Sequence, residues 1–156
     1  AINEAAGNWL QAARNGVDPV KFVEDFASKQ KHIAGIGHKK YNSHQPDPRV
    51  KMLLKFGESL KEKSFTNFAL AVEKITLAKK ANLILNVDGA VAEVMLDLLK
   101  EKEGFNYEAL SELAASEFFN ALFVLSRSVG FVGHYLDQRR LDEGLFRLPE
   151  EEVASV

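Results

Sequence analysis

Asn82-Leu83-Ile84-Leu85-Asn86-Val87-Asp88-Gly89 sets a short apolar run against a polar stop, and helix follows the stop. Val91, Val94, Met95, Leu98 and Leu99 recur at the spacing of one helix face, and Gly104 ends the pattern. An acid at the end of an apolar run is placed to feel desolvation. That raises a carboxyl pKa toward values useful in proton transfer. Asp88 therefore stands out as a candidate acid or base. Its plainer and more frequent role is to cap the helix that begins at Gly89.

The same helical pattern extends outward. Upstream, Asn3 can open a helix with Ala5, Trp9, Leu10 and Ala13 on one stripe and Gly16 as its stop. Asp18-Pro19 is an N-cap with Pro in the first helical position, followed by Val20, Phe22, Val23 and Phe26. That helix should fade near Ser28 to Lys31. Asp47-Pro48 opens another, carrying Val50, Leu53, Leu54 and Leu60. Ser64 can cap the next, with Phe65, Phe68, Leu70, Val72 and Ile75 as its apolar set. Downstream, Tyr107 begins a helical hairpin or bent pair. Its small residues Ser126, Ser128, Gly130 and Gly133 suit close packing or a kink. Only 4 Pro are present, with no long β-branched alternation. The fold is therefore expected to be all-α, with sheet content near zero.

Composition bounds the function. The chain has 156 residues, 46% hydrophobic and 27% charged, which suits one globular domain or one and a part. It excludes disorder and collagen-like structure as whole-chain readings. Lys plus Arg is 20 against 22 for Asp plus Glu, so the net charge of −2 argues against a dedicated nucleic-acid binder. The Cys count is 0, which excludes disulfide frameworks, thiolate zinc sites and cysteine nucleophiles. A cytoplasmic setting is the natural expectation. No apolar run approaches the ~20 residues that span a bilayer, so no membrane partner is expected. Ala1-Ile2-Asn3-Glu4 has neither the regions of a signal peptide nor an initiator Met, which suggests a piece of something longer.

The longest non-periodic stretch is Ile33 to Arg49, punctuated by Gly35, Gly37, Pro46 and Pro48. Long ordered loops in compact domains are often functional. Gly35-Ile36-Gly37 is no dinucleotide fingerprint, since the third glycine and a preceding buried strand are missing. It is either a flexible turn or a place where backbone N–H groups approach a ligand. His38 follows it, beside Lys39 and Lys40. It is a surface histidine or a hydrogen-bonding partner for a carbonyl or hydroxyl oxygen. Arg127 lies among Val124, Leu125 and Phe131, where a guanidinium needs either an internal carboxylate or a bound anion. Lys79-Lys80 reads as a solvated pair. The 4 His lack metal-ligand spacing, so no metal site is expected.

Several of these segments occur together in a telling order. Gly35-Ile36-Gly37-His38, Pro46-Asp47-Pro48-Arg49-Val50, Val72-Glu73-Lys74-Ile75 and Asn82 to Gly89 come first. Phe123-Val124-Leu125-Ser126-Arg127-Ser128 and Gly133-His134-Tyr135-Leu136-Asp137-Gln138 follow. The set resembles the C-terminal citryl-CoA lyase part of ATP-citrate lyases, relatives of citrate synthase, over nearly the whole chain. The resemblance implies a citrate-synthase-like all-α fold. Residues 1–105 would form the small, CoA-binding domain, and residues 106–156 would be helices returning to the large domain.

It also implies roles. His38 matches the histidine that bonds the citryl hydroxyl, and Asp88 matches the acid/base at the methyl carbon of the acetyl thioester. Arg49 and Arg127 match arginines that clamp substrate carboxylates. Arg147, in Phe146-Arg147-Leu148-Pro149, matches an arginine that reaches the neighbouring subunit's site. Ala34, Gly35, Ile36, Gly37 and Lys80 match regions that contact coenzyme A. Lys39 takes a substrate-facing position where animal relatives commonly carry Arg, and supplies a point charge in place of a fork. The implied partners are citryl-CoA, acetyl-CoA, oxaloacetate, the remainder of the same enzyme and further copies in a homo-oligomer.

A second catalytic histidine of the family belongs to a segment upstream of Ala1. The isolated chain is therefore expected to bind coenzyme A and turn over little or nothing. Two other readings stand beside this one. The chain could be a fragment of a citrate synthase or stand-alone citryl-CoA lyase, or a non-catalytic helical oligomerisation module.

Overall fold

The structure, a computed structural model, describes residues 1–144 and 149. The helices are α1 (Ile2–Arg14), α2 (Pro19–Ser28), α3 (Pro48–Gly57), α4 (Ser64–Leu77), α5 (Val87–Lys102), α6 (Tyr107–Ala115) and α7 (Phe118–Leu141). Among the described residues extended pairing is limited to two isolated bridges, Ile36 with Leu85 and Asn42 with Gln45. The all-α expectation is met. No single helix among these residues is long and apolar enough to cross a membrane.

Local chemistry explains most helix starts. The Asp18 carboxylate accepts from Val20 N at 2.8 Å with Pro19 in the first position. Asp47 repeats the arrangement for α3, accepting from Arg49 N at 3.0 Å. Asn106 opens α6 by accepting from Ala109 N at 2.9 Å. Two expected caps are different. Asn3 lies inside α1, which starts at Ile2, and its amide donates to Ala114 O of α6 instead. Ser64 makes no cap for α4. Asp97 of α5 does so from across the core, accepting from Phe65 N at 3.0 Å and Thr66 N at 2.9 Å.

The chain forms two compact units, Ala1–Phe119 and Asn120–Val156. In the first, α5 is central and packs on α1, α3 and α4, while α2 packs on α4 and α6 on α1. An aromatic cluster ties α1, α2 and α4, with ring centroids 5.6 Å apart for Trp9 and Phe22 and 5.4 Å for Phe22 and Phe68. The first unit includes α6, which packs on α1. The second unit holds most of α7. Its Val124, Leu125, Val129, Phe131, Val132, Tyr135 and Leu136 are exposed.

α5 buries more than the expected stripe. Ala90, Ala92, Glu93, Leu96 and Asp97 are buried along with Val94, while Val91, Met95, Leu98 and Leu99 are half-buried. A helix with neighbours on several sides has no single inner face.

Candidate active site

The site begins where the loop after α2 meets the segment before α5. Gly37 N donates to Ile84 O at 2.7 Å, His38 N to Asn82 O at 3.0 Å, and Asn86 N to Gly35 O at 2.9 Å. Side chains lock the same crossing. Asn86 Nδ2 donates to Gly37 O at 2.9 Å, and Asn82 Nδ2 to His38 O at 3.3 Å. The loop is long in sequence but its backbone polar groups are spent on a defined partner, so it is not a free turn. Gly35 and Gly89 pass backbone to backbone within it. The amides of Ile36, Gly37 and His38 are all used internally.

Asp88 stands in the first turn of α5 and is half-buried. The helix cap is Asn86, whose Oδ1 accepts from Asp88 N at 3.0 Å and Gly89 N at 3.1 Å. Asp88 is therefore relieved of capping, and its carboxylate takes no hydrogen bond from the described residues.

His38 is half-buried, and its Nδ1 receives the backbone N–H of both Lys40 and Tyr41 at 3.0 Å. Its ring packs on Tyr41 with centroids 4.8 Å apart. Two donors on Nδ1 fix the neutral ring in the tautomer that carries its proton on Nε2. That nitrogen is then a donor for a carbonyl or hydroxyl oxygen.

Asp47 and Arg49 form a tight pair. Arg49 Nε lies 3.0 Å from Asp47 Oδ1, and Nη2 lies 2.6 Å from Oδ2. The Asp47 side chain is 1% exposed and that of Arg49 is 49% exposed. The fork approaches Asp47 by its Nε–Nη2 side. Its Nη1–Nη2 end is left to meet a second carboxylate. Burial alone would raise the Asp47 carboxyl. The Arg49 side chain and amide, and the charges of Arg49 and His38, outweigh burial and hold it below the ordinary 3.8. Arg49 is raised, first by its bond to Asp47 against the opposing effect of burial, then by the charges of Asp47, Tyr41 and Asp88. His38, Tyr41, Asp47, Arg49 and Asp88 thus share one electrostatic neighbourhood in the first unit.

The other expected positions fall as follows. Ala34, Ile36 and Gly37 are half-buried and Gly35 is buried, while Lys39 and Lys80 are exposed. Arg127 lies on α7 in the second unit and is exposed, with its guanidinium 4.9 Å above the Phe123 ring. It needs no internal carboxylate, because it is not desolvated. Arg147 lies outside the described residues. Sequence reading gave Asp47 as a helix start but not as the partner of Arg49, and assigned no role to Tyr41 or Asn86. The spacing Asp47-Pro48-Arg49 carried a local signal, since an N-cap aspartate is two residues from a guanidinium. Asn86 carried another, as the Asn just before the helix.

Comparison with known proteins matches the chain to a family. The description "Citrate synthase, C-terminal domain" fits residues 1–148. A probable ATP-citrate synthase of Caenorhabditis elegans is 42% identical over 160 residues, covering 100% of this chain and 14% of the relative. The solved ATP citrate lyase of Methanothrix soehngenii, in complex with citrate and coenzyme A, superposes with a TM-score of 0.84 at 40% identity. That match covers 98% of this chain and 25% of the solved one. The citryl-CoA lyase of Hydrogenobacter thermophilus superposes with a TM-score of 0.66 at 25% identity, covering 98% of this chain and 55% of its own. The expected citrate-synthase-like fold is met. The chain spans only a small part of the curated relatives it matches.

Proposed function

This chain belongs to the citrate synthase family, matching its C-terminal domain, and we propose on that premise that it carries part of the citryl-CoA lyase site of an ATP-citrate lyase. Residues 1–105 form the CoA-binding small domain and residues 106–156 the helices that return to the large domain. The reading draws its main support from one juxtaposition. A histidine whose Nδ1 is held by two backbone donors, which leaves Nε2 as its donor, lies on the loop that crosses the segment leading to an aspartate whose carboxylate takes no hydrogen bond from the described residues.

The reaction is a retro-Claisen cleavage. The citryl hydroxyl gives up its proton, the carbon–carbon bond to the thioester methylene breaks, and its electron pair passes to that methylene. Oxaloacetate leaves with a new ketone. The enolate of the acetyl thioester takes a proton on carbon and becomes acetyl-CoA. His38 donates from Nε2 to the oxygen that becomes the ketone. Asp88, in its carboxylic acid form, gives its proton to the methylene carbon and is left as the carboxylate. Arg49 presents the free end of its fork to a substrate carboxylate, with Asp47 fixing its orientation. Arg127 binds a substrate carboxylate, Arg147 reaches the site of a neighbouring subunit, and Lys39 contributes a point charge to substrate binding. The loop Ala34 to Gly37 and Lys80 contact coenzyme A. The hydroxyl proton is assigned to a histidine elsewhere in the enzyme. The reaction needs no metal at these residues.

The partners are citryl-CoA, acetyl-CoA, oxaloacetate and the rest of a cytoplasmic homo-oligomeric enzyme. The higher identity to ATP-citrate lyases than to the stand-alone citryl-CoA lyase favours the first assignment over the second. The exposed apolar residues of α7 favour self-association as an accompanying property.

The test is citryl-CoA cleavage by the full-length enzyme, read as oxaloacetate release through a coupled dehydrogenase. Asp88→Asn and His38→Ala should each abolish or cripple it. Unchanged turnover in both would remove the assignment. For the isolated chain, sedimentation with and without coenzyme A distinguishes a ligand-binding fragment from a purely structural helical module.

A further inference from the structure

The two edges of the extended segment before α5 are satisfied by different kinds of partner. Toward the loop, Ile84 O accepts from Gly37 N at 2.7 Å and Asn82 O from His38 N at 3.0 Å. Toward α4, Glu73 Oε1 accepts from Leu85 N at 2.7 Å, and the Thr76 hydroxyl donates to Leu83 O at 2.7 Å. Even-numbered residues point one way and odd-numbered residues the other, the alternation of an extended chain. A second strand would ordinarily serve the odd-numbered edge. Here two side chains spaced to share one face of α4 do so.

We propose that Glu73 is a positioning residue for the citryl-CoA lyase site, setting through the Leu85 amide the register in which the segment leading to Asp88 meets the loop that carries His38. The proposal rests on the functional reading above. Leu85 immediately precedes Asn86, which both caps α5 and binds Gly37 O. Leu85 is 1% exposed, so its N–H has no water to turn to when the carboxylate is removed. The segment would then shift or admit water, carrying Asn86 and Asp88 with it. Leu85 is also the residue bridged to Ile36, so the same shift disturbs the loop that carries His38. Glu73 touches no reacting group. It acts through the backbone.

The experiment measures kcat and KM for citryl-CoA in the full-length enzyme carrying Glu73→Leu, Glu73→Gln, Glu73→Asp, Thr76→Val or Asp88→Asn. Amide exchange of the peptide over residues 82–88 is followed in each. A reacting geometry displaced by about 1 Å costs about 10²-fold in rate, so Glu73→Leu should lower kcat by about that factor with less change in KM. Exchange at the Leu85 amide should speed up in the same variant. Glu73→Gln keeps an oxygen on the Leu85 amide and should restore most of the rate and the protection. Thr76→Val removes the hydroxyl's contacts to Leu83 O and, within α4, to Glu73 O, leaves the Glu73 carboxylate in place, and should show a smaller loss of the same kind. If Glu73→Leu fails to fold, Glu73→Asp, one methylene too short to reach Leu85 N, decides the matter: wild-type kcat and exchange at Leu85 there would overturn the proposal. So would Glu73→Leu at wild-type kcat beside an inactive Asp88→Asn, or a Glu73→Gln as impaired as Glu73→Leu. Full turnover by Asp88→Asn would remove the functional reading, and this inference with it.

Discussion

Gly35 and Gly89 touch backbone to backbone, and neither position has room for a side chain. A Cβ on Gly89 would lie 2.5 Å from Gly35 O and 2.9 Å from Gly35 Cα, and one on Gly35 would lie 2.8 Å from Gly89 Cα. Gly35 also holds φ at +90°, where L side chains are strained. Asp88 immediately precedes one glycine and His38 closely follows the other. The contact brings the loop that carries His38 against the first turn of the helix that carries Asp88.

Gly89→Ala should therefore be costly, because the obstructing atoms are backbone and cannot rotate away. Overpacking of this kind costs about 1–3 kcal/mol. Cleavage should fall as well, since relief requires the loop and α5 to separate. Gly7, inside α1, is the fitting contrast, because a Cβ there would meet nothing within 4 Å. Gly7→Ala should raise stability by about 0.5–1 kcal/mol, the ordinary helix-interior gain. Thermal midpoints of the two variants check the pair. Equal responses would mean that the close crossing does not constrain the fold.

The tautomer of His38 gives a second prediction. Nitrogen NMR of the ring should find Nδ1 as the unprotonated nitrogen and Nε2 as the protonated one. The backbone donors of Lys40 and Tyr41 occupy Nδ1. Loss of a donor to a developing oxyanion costs about 10²–10³-fold in kcat, which sets the expectation for His38→Ala. A ring protonated on Nδ1 in the neutral form would contradict the assigned role.

How much of this was legible in the sequence depended on the range of the interaction concerned. Asp18-Pro19 and Asp47-Pro48 announced helix starts because an Asx cap bonds within its own first turn. Ser64 misled because the true cap, Asp97, sits on another helix and reaches α4 only in the folded protein. His38 and Asp88 stood out by their position after a glycine turn and an apolar run. What holds them together did not. Glu73 on Leu85 N, Asn82 on His38 O and Asn86 on Gly37 O are tertiary bonds with no local pattern. Arg127 called for an internal carboxylate or a bound anion because its neighbours are apolar, yet those neighbours are themselves exposed.

The Asp47–Arg49 pair makes a prediction about acid. Asp47 is held below 3.8 in the folded chain, so it binds fewer protons folded than unfolded in that range. Its contribution is present above 3.8 and is lost as pH falls through the lower folded value. Arg49→Ala removes the cause that most opposes burial. That variant should be less stable than the parent at neutral pH, and the gap should narrow on acidification below pH 3.8. Arg49→Lys should recover part of the stability and little of the substrate clamping, since an ammonium cannot serve Asp47 and a second carboxylate as a fork does. Denaturant midpoints across the acid range test the first statement, and KM for citryl-CoA in the full-length enzyme tests the second.

Glu93 carries the opposite sign. It is 0% exposed on α5, and neither carboxyl oxygen finds a hydrogen-bond partner among the described residues. Burial, then the charges of Asp97 and Glu73, push its pKa well above the ordinary 4.5. The folded chain thus keeps a proton that the unfolded chain releases once pH passes 4.5. Stability contributed by this group is fullest below that pH and declines as pH rises toward the folded value. Glu93→Leu has no proton to lose and fills a similar space with carbon. Its thermal midpoint should exceed the parent's at neutral pH, with the difference growing from about pH 4.5 upward. A difference that stays constant from acid to neutral pH would mean that Glu93 ionises as easily inside the protein as outside, and the picture of a buried, unpartnered acid would be lost. Glu93→Gln separates charge from packing. It should remove the pH dependence while keeping much of the penalty of a buried polar group without a partner.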